Sequence, residues 1–200
     1  MVSQPAVAAP SYDGPFTAID FETADYGADS ACALALVHVE GVEIVGRDLF
    51  MIRPPRSRFA FTYIHGITWA HVRGEPSFAE QWEKIAATLA RASFLAAHNA
   101  PFDRGVLAAC CAAAGAAPPA LDFHCTVQLA RRAWRPKGLI RANLPAVCEH
   151  LGIALNHHDP ASDAEACARI VIAARREGIA LGPPLRTPKV KKPGSSPGRW

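Results

Sequence analysis

The chain has 200 residues, of which half are apolar, and its formal net charge is +3 at pH 7. This length suits one α/β domain with short tails, and so small a charge does not by itself require a nucleic-acid partner. The six cysteines form no Cys-x-x-Cys pair, which argues against a zinc site or redox motif and favours buried, reduced thiols. The longest apolar run, around residues 105–121, is too short for a membrane span, so we expect a soluble, cytoplasmic protein without a signal peptide.

Three strands are predicted in the first part of the chain, over 16–22, 32–40 and 42–52. The two-residue junction at 40–41 indicates that the second and third strands form a hairpin. The stretch 52–68 is predicted to be a loop, because it contains two adjacent prolines and no sustained periodicity.

Helical periodicity begins at residue 77, where Ser77 can cap a helix over 77–92. The later elements are, in chain order, a buried strand over 93–99, a helix over 101–115, a strand running into a helix over 121–134, and helices over 143–153 and 160–178. Strands followed by alternating strands and helices predict a mixed sheet flanked by helices. Composition then divides the chain into a loose segment over 1–14, a folded domain over 15–180 and a basic, disordered tail over 181–200.

Two carboxylates, Asp20 and Glu22, lie near the end of the first predicted strand. Residues two apart on a strand share a face, so these side chains repel each other unless a cation lies between them. Hard divalent cations such as Mg²⁺ or Mn²⁺ prefer carboxylate oxygens, which makes a metal site one interpretation. The other interpretation is a frayed strand end in water, where both acids are harmless.

Two further acids lie at the starts of predicted helices. Asp103 falls in a first helical turn, where it either complements the helix dipole or adds to a site at a strand-to-helix junction. Asn99, just before that helix, is also a candidate cap. Asp163 points along the apolar stripe of the last helix, so it needs either a cation or backbone donors.

In order along the chain, these clusters resemble the three motifs of the DEDDh 3′–5′ exonucleases of the DnaQ-like/RNase T superfamily. That superfamily includes the proofreading epsilon subunit of bacterial DNA polymerase III. The motif Asp-x-Glu-Thr corresponds to residues 20–23, and His-Asn-x-x-Phe-Asp corresponds to residues 98–103. The third motif is a His five residues before an Asp, a spacing that selects His158 over His157 ahead of Asp163. The resemblance covers residues 15–178.

The resemblance implies an RNase H-like α/β fold with a mixed five-stranded sheet, and two Mg²⁺ or Mn²⁺ ions as cofactors. It implies that His158 takes a proton from an activated water, and that the product is a nucleoside 5′-monophosphate. The implied metal ligands, which are also catalytic, are Asp20, Glu22, Asp103 and Asp163. The implied substrate-binding residues are Thr23, His65, His98, Asn99 and Phe102. Phe102 either stacks on a base or packs in the core, His65 is alternatively an ordinary loop histidine, and Asn99 alternatively orients its loop.

The sequence therefore predicts a 3′–5′ exonuclease acting on single-stranded DNA ends in DNA repair or turnover. The tail shows no clamp-binding or polymerase-docking segment, so we expect a free-standing enzyme; a polymerase partner stays an alternative that the tail does not support. An RNA 3′-end exoribonuclease with the same site is the first alternative, because such enzymes share all three motifs. A non-catalytic polymerase accessory or nucleic-acid-binding module is the second, and the intact motifs argue against it. The cations of the tail either attract phosphates or remain solvated.

Overall fold

The computed structural model describes residues 12–185, so the predicted loose segment and tail lie largely outside it, over 1–11 and 186–200. Its five strands form one sheet in the order β3-β2-β1-β4-β5. They are β1 (Phe16–Thr23), β2 (Ala31–Glu40), β3 (Glu43–Met51), β4 (Phe94–Ala97) and β5 (Asp122–Cys125). β1, β2 and β3 pair antiparallel, whereas β4 and β5 extend the sheet in parallel with β1. The predicted hairpin and the mixed five-stranded sheet are confirmed.

Seven α-helices lie within the described part of the chain. They are α1 (Thr62–His65), α2 (Trp69–Val72), α3 (Phe78–Leu89), α4 (Ala100–Ala113), α5 (Thr126–Trp134), α6 (Leu144–Leu151) and α7 (Pro160–Arg176). Ser77 caps α3 as predicted, and Asp159 caps α7 by accepting bonds from two backbone amides. The prediction of an unbroken loop over 52–68 is wrong, because α1 lies within it. A single helical turn is too short to show a hydrophobic period.

The helices cover both faces of the sheet. On one face, Phe16 and Ala18 of β1 pack into a core with α5, α6 and α7; on the other, Ile19 and Phe21 pack with α3 and α4. β1 is therefore buried on both faces, and the alternation along it directs Asp20 and Glu22 toward the α7 side. Among residues 12–185, no helix is long and apolar enough to cross a membrane.

All six cysteines are free and buried, as the sequence predicts. Burial raises the pKa of Cys32 and Cys111 to about 12 and that of Cys110 and Cys148 to about 11. It also raises the pKa of Cys167 well above its ordinary value. These side chains therefore behave as small apolar groups of the core.

Candidate active site

The carboxyl ends of β1, β4 and β5 meet at one edge of the sheet because the three strands are parallel. This is the edge at which open α/β sheets form their sites. Along β1, Asp20 lies opposite Ala35 and Glu22 lies opposite Ala33. Both of these residues of β2 are small, so their side chains leave room beside the two carboxylates on that face of the sheet.

Asp103 lies in the first turn of α4, and its side chain is 2% exposed. Its Oδ1 accepts a hydrogen bond of 3.1 Å from the backbone N–H of Phe21, which fixes the start of α4 against β1. Burial nevertheless raises the pKa of Asp103 to about 8, with a further contribution from the charge of Glu22. Asp103 therefore interacts electrostatically with Glu22 on β1, and the dipole of α4 is not the only influence on its carboxylate.

Asp163 lies in the first turn of α7 and is 6% exposed, as expected from its place on the apolar stripe. Its Oδ2 lies 3.0 Å from Nδ1 of His157 and accepts a bond of 3.2 Å from the backbone N–H of His158. The two imidazole rings stack with centroids 3.8 Å apart. Burial raises the pKa of Asp163 although both histidines lower it.

The structure thus brings two histidines to Asp163 where the motif spacing selects one. His158, which has a φ of +72°, reaches the carboxylate through its backbone, whereas the ring of His157 contacts it directly. Asp163 and the two histidines form the one group of ligand-type side chains within residues 12–185 whose ligand atoms all lie within 4.8 Å of one another. The four carboxylates do not form so tight a set, in keeping with the repulsion between like charges.

The four carboxylates nevertheless share one electrostatic environment. Burial raises the pKa of Asp20 well above its ordinary value, and the charges of Asp103, Glu22 and Asp163 raise it further. Burial and Asp163 also raise the pKa of Glu22, to about 7. The charges acting on Asp20 and Glu22 are thus all negative, and a cluster of this kind is stabilised by cations.

Thr23 and His65 are joined by a hydrogen bond. Nδ1 of His65 accepts a bond of 3.0 Å from the backbone N–H of Ile67, so the ring proton lies on Nε2, which donates to the carbonyl of Thr23 at 3.2 Å. Thr23 itself is buried, and burial lowers the pKa of His65. The neutral histidine therefore holds α1 against the end of β1.

Asn99 and Phe102 lie at the start of α4. Asn99 occupies the position before the helix with a left-handed φ of +73°, and its side chain makes no capping bond. Its carbonyl accepts a bond of 2.9 Å from the backbone N–H of Phe102. The Phe102 side chain is 45% exposed, so much of its ring is available to a ligand.

His98 directly follows β4, and both of its ring nitrogens have polar partners. Nε2 lies 3.1 Å from the carbonyl of Ala142, and Nδ1 lies 2.9 Å from the hydroxyl of Thr126. Burial lowers the pKa of His98 to about 4, so the ring is neutral at pH 7. Its polar atoms are thus used inside the protein, which the motif pattern does not reveal.

Arg56 holds the segment that follows β1. Its guanidinium donates two hydrogen bonds to Asp25 and two to Asp29, with lengths between 2.7 and 3.0 Å. The pKa of Asp25 is lowered to about 2, chiefly by these bonds. No sequence pattern predicts this network, because Arg56 lies 31 residues from Asp25 in a stretch predicted only as a loop.

Comparison with known proteins agrees with this geometry. The exonuclease family model RNase T matches residues 17–171, and the chain belongs to this family. That family is described as one of exonucleases. A DNA polymerase III of the PolC type from Clostridium perfringens is 31% identical over 167 residues, which are 80% of this chain and 11% of that polymerase. This chain therefore spans only a small part of that relative.

Two solved structures share the fold. Exonuclease X in complex with 5′ overhanging duplex DNA has a TM-score of 0.66 and 25% identity, covering 83% of this chain and 95% of that one. The nuclease domain of 3′hExo, a DEDDh family member bound to rAMP, has a TM-score of 0.72 and 18% identity. That match covers 89% of this chain and 99% of the 3′hExo chain. Both support the RNase H-like architecture that the motifs predicted.

Proposed function

We propose that this chain is a 3′–5′ exonuclease that uses two divalent cations to release nucleoside 5′-monophosphates from single-stranded DNA. The observation that carries the proposal is the meeting of Asp20, Glu22, Asp103 and Asp163 at one edge of the sheet. These are four acids whose pKa values are all raised, beside two histidines. A purely structural polar cluster would pair its acids with cationic side chains.

The residues fit divalent cations, which the RNase T family uses. Carboxylate oxygens are the ligands that Mg²⁺ and Mn²⁺ prefer, and bound cations would offset the mutual repulsion that raises these pKa values. Asp20, Glu22, Asp103 and Asp163 would hold them. When bound, such ions make a coordinated water more acidic and stabilise negative charge on phosphate and on the leaving oxygen.

The protein's own groups supply the rest of the chemistry. His158 is proposed as the base that accepts the proton of the attacking water, because imidazole is the side chain that most often acts as a general base and the His158 ring lies beside Asp163. His157, whose Nδ1 lies 3.0 Å from Asp163, holds the carboxylate and stacks on His158. Phe102, partly exposed at the start of α4, is proposed to stack on the terminal base. Thr23, His65, His98 and Asn99 are proposed to shape the pocket around that nucleotide.

DNA is the proposed substrate because Exonuclease X, bound to DNA, has the higher identity of the two structures, at 25%. RNA is the alternative, since the 3′hExo structure holds rAMP. The 2′-hydroxyl distinguishes the two substrates. The likeness to PolC raises a polymerase context, but we propose a free-standing enzyme of DNA repair or turnover in the cytoplasm. Its catalytic domain would span 15–180, followed by a basic tail over 181–200.

The test uses 5′-labelled single-stranded DNA and RNA of one sequence, each with Mg²⁺, Mn²⁺ or a chelator. We expect a metal-dependent ladder that shortens from the 3′ end, with monophosphate as product, and no cleavage of circular single strands. Asp163→Asn should abolish turnover, whereas Glu83→Gln, which changes an exposed acid on α3, should leave it intact. Full activity of Asp163→Asn would refute the site, and faster digestion of RNA would favour the alternative substrate.

A further inference from the structure

His98 connects three parts of the protein at the edge of the candidate site. A carbonyl can only accept, so the bond to Ala142 places the ring proton on Nε2, and Nδ1 accepts from the hydroxyl of Thr126. The end of β4 is thereby tied to the start of α5 and to the loop 138–143, which we call the rim loop. The carbonyl of Ala142 is 44 residues away in sequence, so only the fold brings it to His98.

The rim loop is anchored at both ends and exposed between them. Leu139 is buried and its backbone N–H donates to the carbonyl of Trp134 at 2.9 Å, while Ala142 is 8% exposed. Between these anchors, Ile140 is 87% exposed and Arg141 is also exposed. Within the described residues, the guanidinium of Arg141 has no hydrogen-bond or ion-pair partner. A fixed loop therefore presents an apolar side chain and a free cation to solvent.

The rim loop lies beside the carboxylate cluster. Ala142 bonds His98, which immediately precedes Asn99 and the helix that carries Asp103. The charge of His157 also acts on His98, so the rim loop and the His157–His158 pair flank the same residue. Since Arg141 is the neighbour of Ala142, its Cα lies within about 4 Å of the residue that His98 holds.

The charge around the rim loop fits a polyanion. The segment 131–141 contains five cationic residues and no acid. Two of these cations have partners away from the site, since Arg132 donates to the carbonyl of Ala180 and Lys137 pairs with Glu177. Phosphates attract such cations without regard to base sequence, and an exposed apolar side chain beside them can pack on a sugar or base.

We propose that the rim loop binds the substrate strand upstream of its 3′ end, with Arg141 on a phosphate and Ile140 against a sugar or base. His98 is the positioning residue, acting through Ala142 and not through contact with the substrate. This inference rests on the proposed function and adds to it a binding element that lies outside the three motifs. It also explains why both ring nitrogens of His98, a residue next to the candidate site, bond groups of the protein and leave none for the substrate.

Binding is measured by fluorescence anisotropy with a 5′-labelled oligothymidylate of about 12 nucleotides, long enough to reach beyond a terminal pocket. A chelator prevents turnover. We expect Arg141→Gln to weaken binding about tenfold at low salt, the scale of one charge-assisted contact. The slope of log affinity against log salt should fall by about 0.7, as for one phosphate contact on a single strand. Arg91→Gln, which removes an exposed arginine at the opposite end of β4, should change neither quantity.

The role of His98 is tested by a double variant. If His98 acts through the rim loop, His98→Ala should weaken binding, and adding Arg141→Gln to it should have much less effect than in the unaltered chain. Full additivity would overturn the positioning role. Thermal unfolding checks that His98→Ala is folded. If it is not, the single variant Arg141→Gln still tests the rim loop.

Two outcomes would overturn the rim loop as a binding element. One is an Arg141→Gln variant with unchanged affinity and salt slope, and the other is no binding of the oligonucleotide by the unaltered chain. The proposed function is judged separately, by release of monophosphate with Mg²⁺ or Mn²⁺. If the unaltered chain digests the oligonucleotide and Arg141→Gln binds it with unchanged affinity, only the proposal for the rim loop is refuted. If the unaltered chain binds the oligonucleotide but does not digest it, only the exonuclease proposal is refuted.

Discussion

Glu22→Gln probes the carboxylate cluster because it removes one charge and preserves the shape of the side chain. The pKa of Glu22 is raised from its ordinary value of 4.5 to about 7. Between these values the folded, metal-free protein binds more protons than the unfolded chain, so its free energy of unfolding falls as the pH rises. At pH 8 the full penalty applies, and the rise in pKa corresponds to about 3 kcal/mol.

Thermal unfolding in a chelator measures this penalty. At pH 8, Glu22→Gln should melt roughly 6–12 °C above the unaltered protein, which is the shift expected for about 3 kcal/mol in a domain of this size. Near pH 5 the folded side chain is protonated and the unfolded one only partly ionised, so the difference should fall below about 1 kcal/mol. Adding Mg²⁺ at pH 8 should raise the melting temperature of the unaltered protein and have much less effect on the variant.

Glu83→Gln serves as the matched control, because it removes an exposed carboxylate from α3, which packs on the opposite face of the sheet from α7. It should leave the melting temperature and the Mg²⁺ response nearly unchanged. Refutation would come from a Glu22→Gln variant that is no more stable than the unaltered protein at pH 8. An equal Mg²⁺ response in both proteins would contradict the assignment of Glu22 as a metal ligand.

Three further predictions concern the scaffold. Ser77→Ala removes the cap of α3 and should lower the free energy of unfolding by about 1 kcal/mol in urea titrations; an unchanged midpoint would contradict this. Ile85→Ala, at a fully buried position, should cost about 2–5 kcal/mol by the same measurement, and a cost below about 1 kcal/mol would show that the core collapses around it. Arg56→Gln removes the partner of Asp25, whose pKa of about 2 contributes stability above pH 4 that is lost as the pH falls toward 2. In Arg56→Gln, the free energy of unfolding should therefore fall less between pH 4 and pH 2 than in the unaltered protein. An equal fall in both proteins would refute the pairing.

The sequence predicts the sheet and the acidic cluster well because both depend on local patterns. Alternation along β1 directs Asp20 and Glu22 to one face, and the period of α7 directs Asp163 inward, as the structure confirms. The junction between β4 and α4 likewise places Asp103 near them. Each of these inferences needs only residues close together in the chain.

The contacts that the sequence does not predict mostly join residues that lie far apart in the chain. Nothing in the pattern around His98 reveals that its ring bonds Ala142 and Thr126, or that Arg56 holds Asp25. The sequence does not predict the contact between Asp163 and His157 for another reason. A left-handed φ at His158 turns the chain between them, and motif spacing contains no information on that turn.

The buried cysteines give the molecule an internal reporter. A thiolate is the species that alkylating reagents attack, and burial leaves five of the six thiols with raised pKa values and out of contact with water. Labelling at neutral pH therefore requires the domain to open. The rate of alkylation therefore reports how often the domain opens. A bound cation or oligonucleotide stabilises the closed domain, so its binding can be detected as slower alkylation of cysteines that it does not contact.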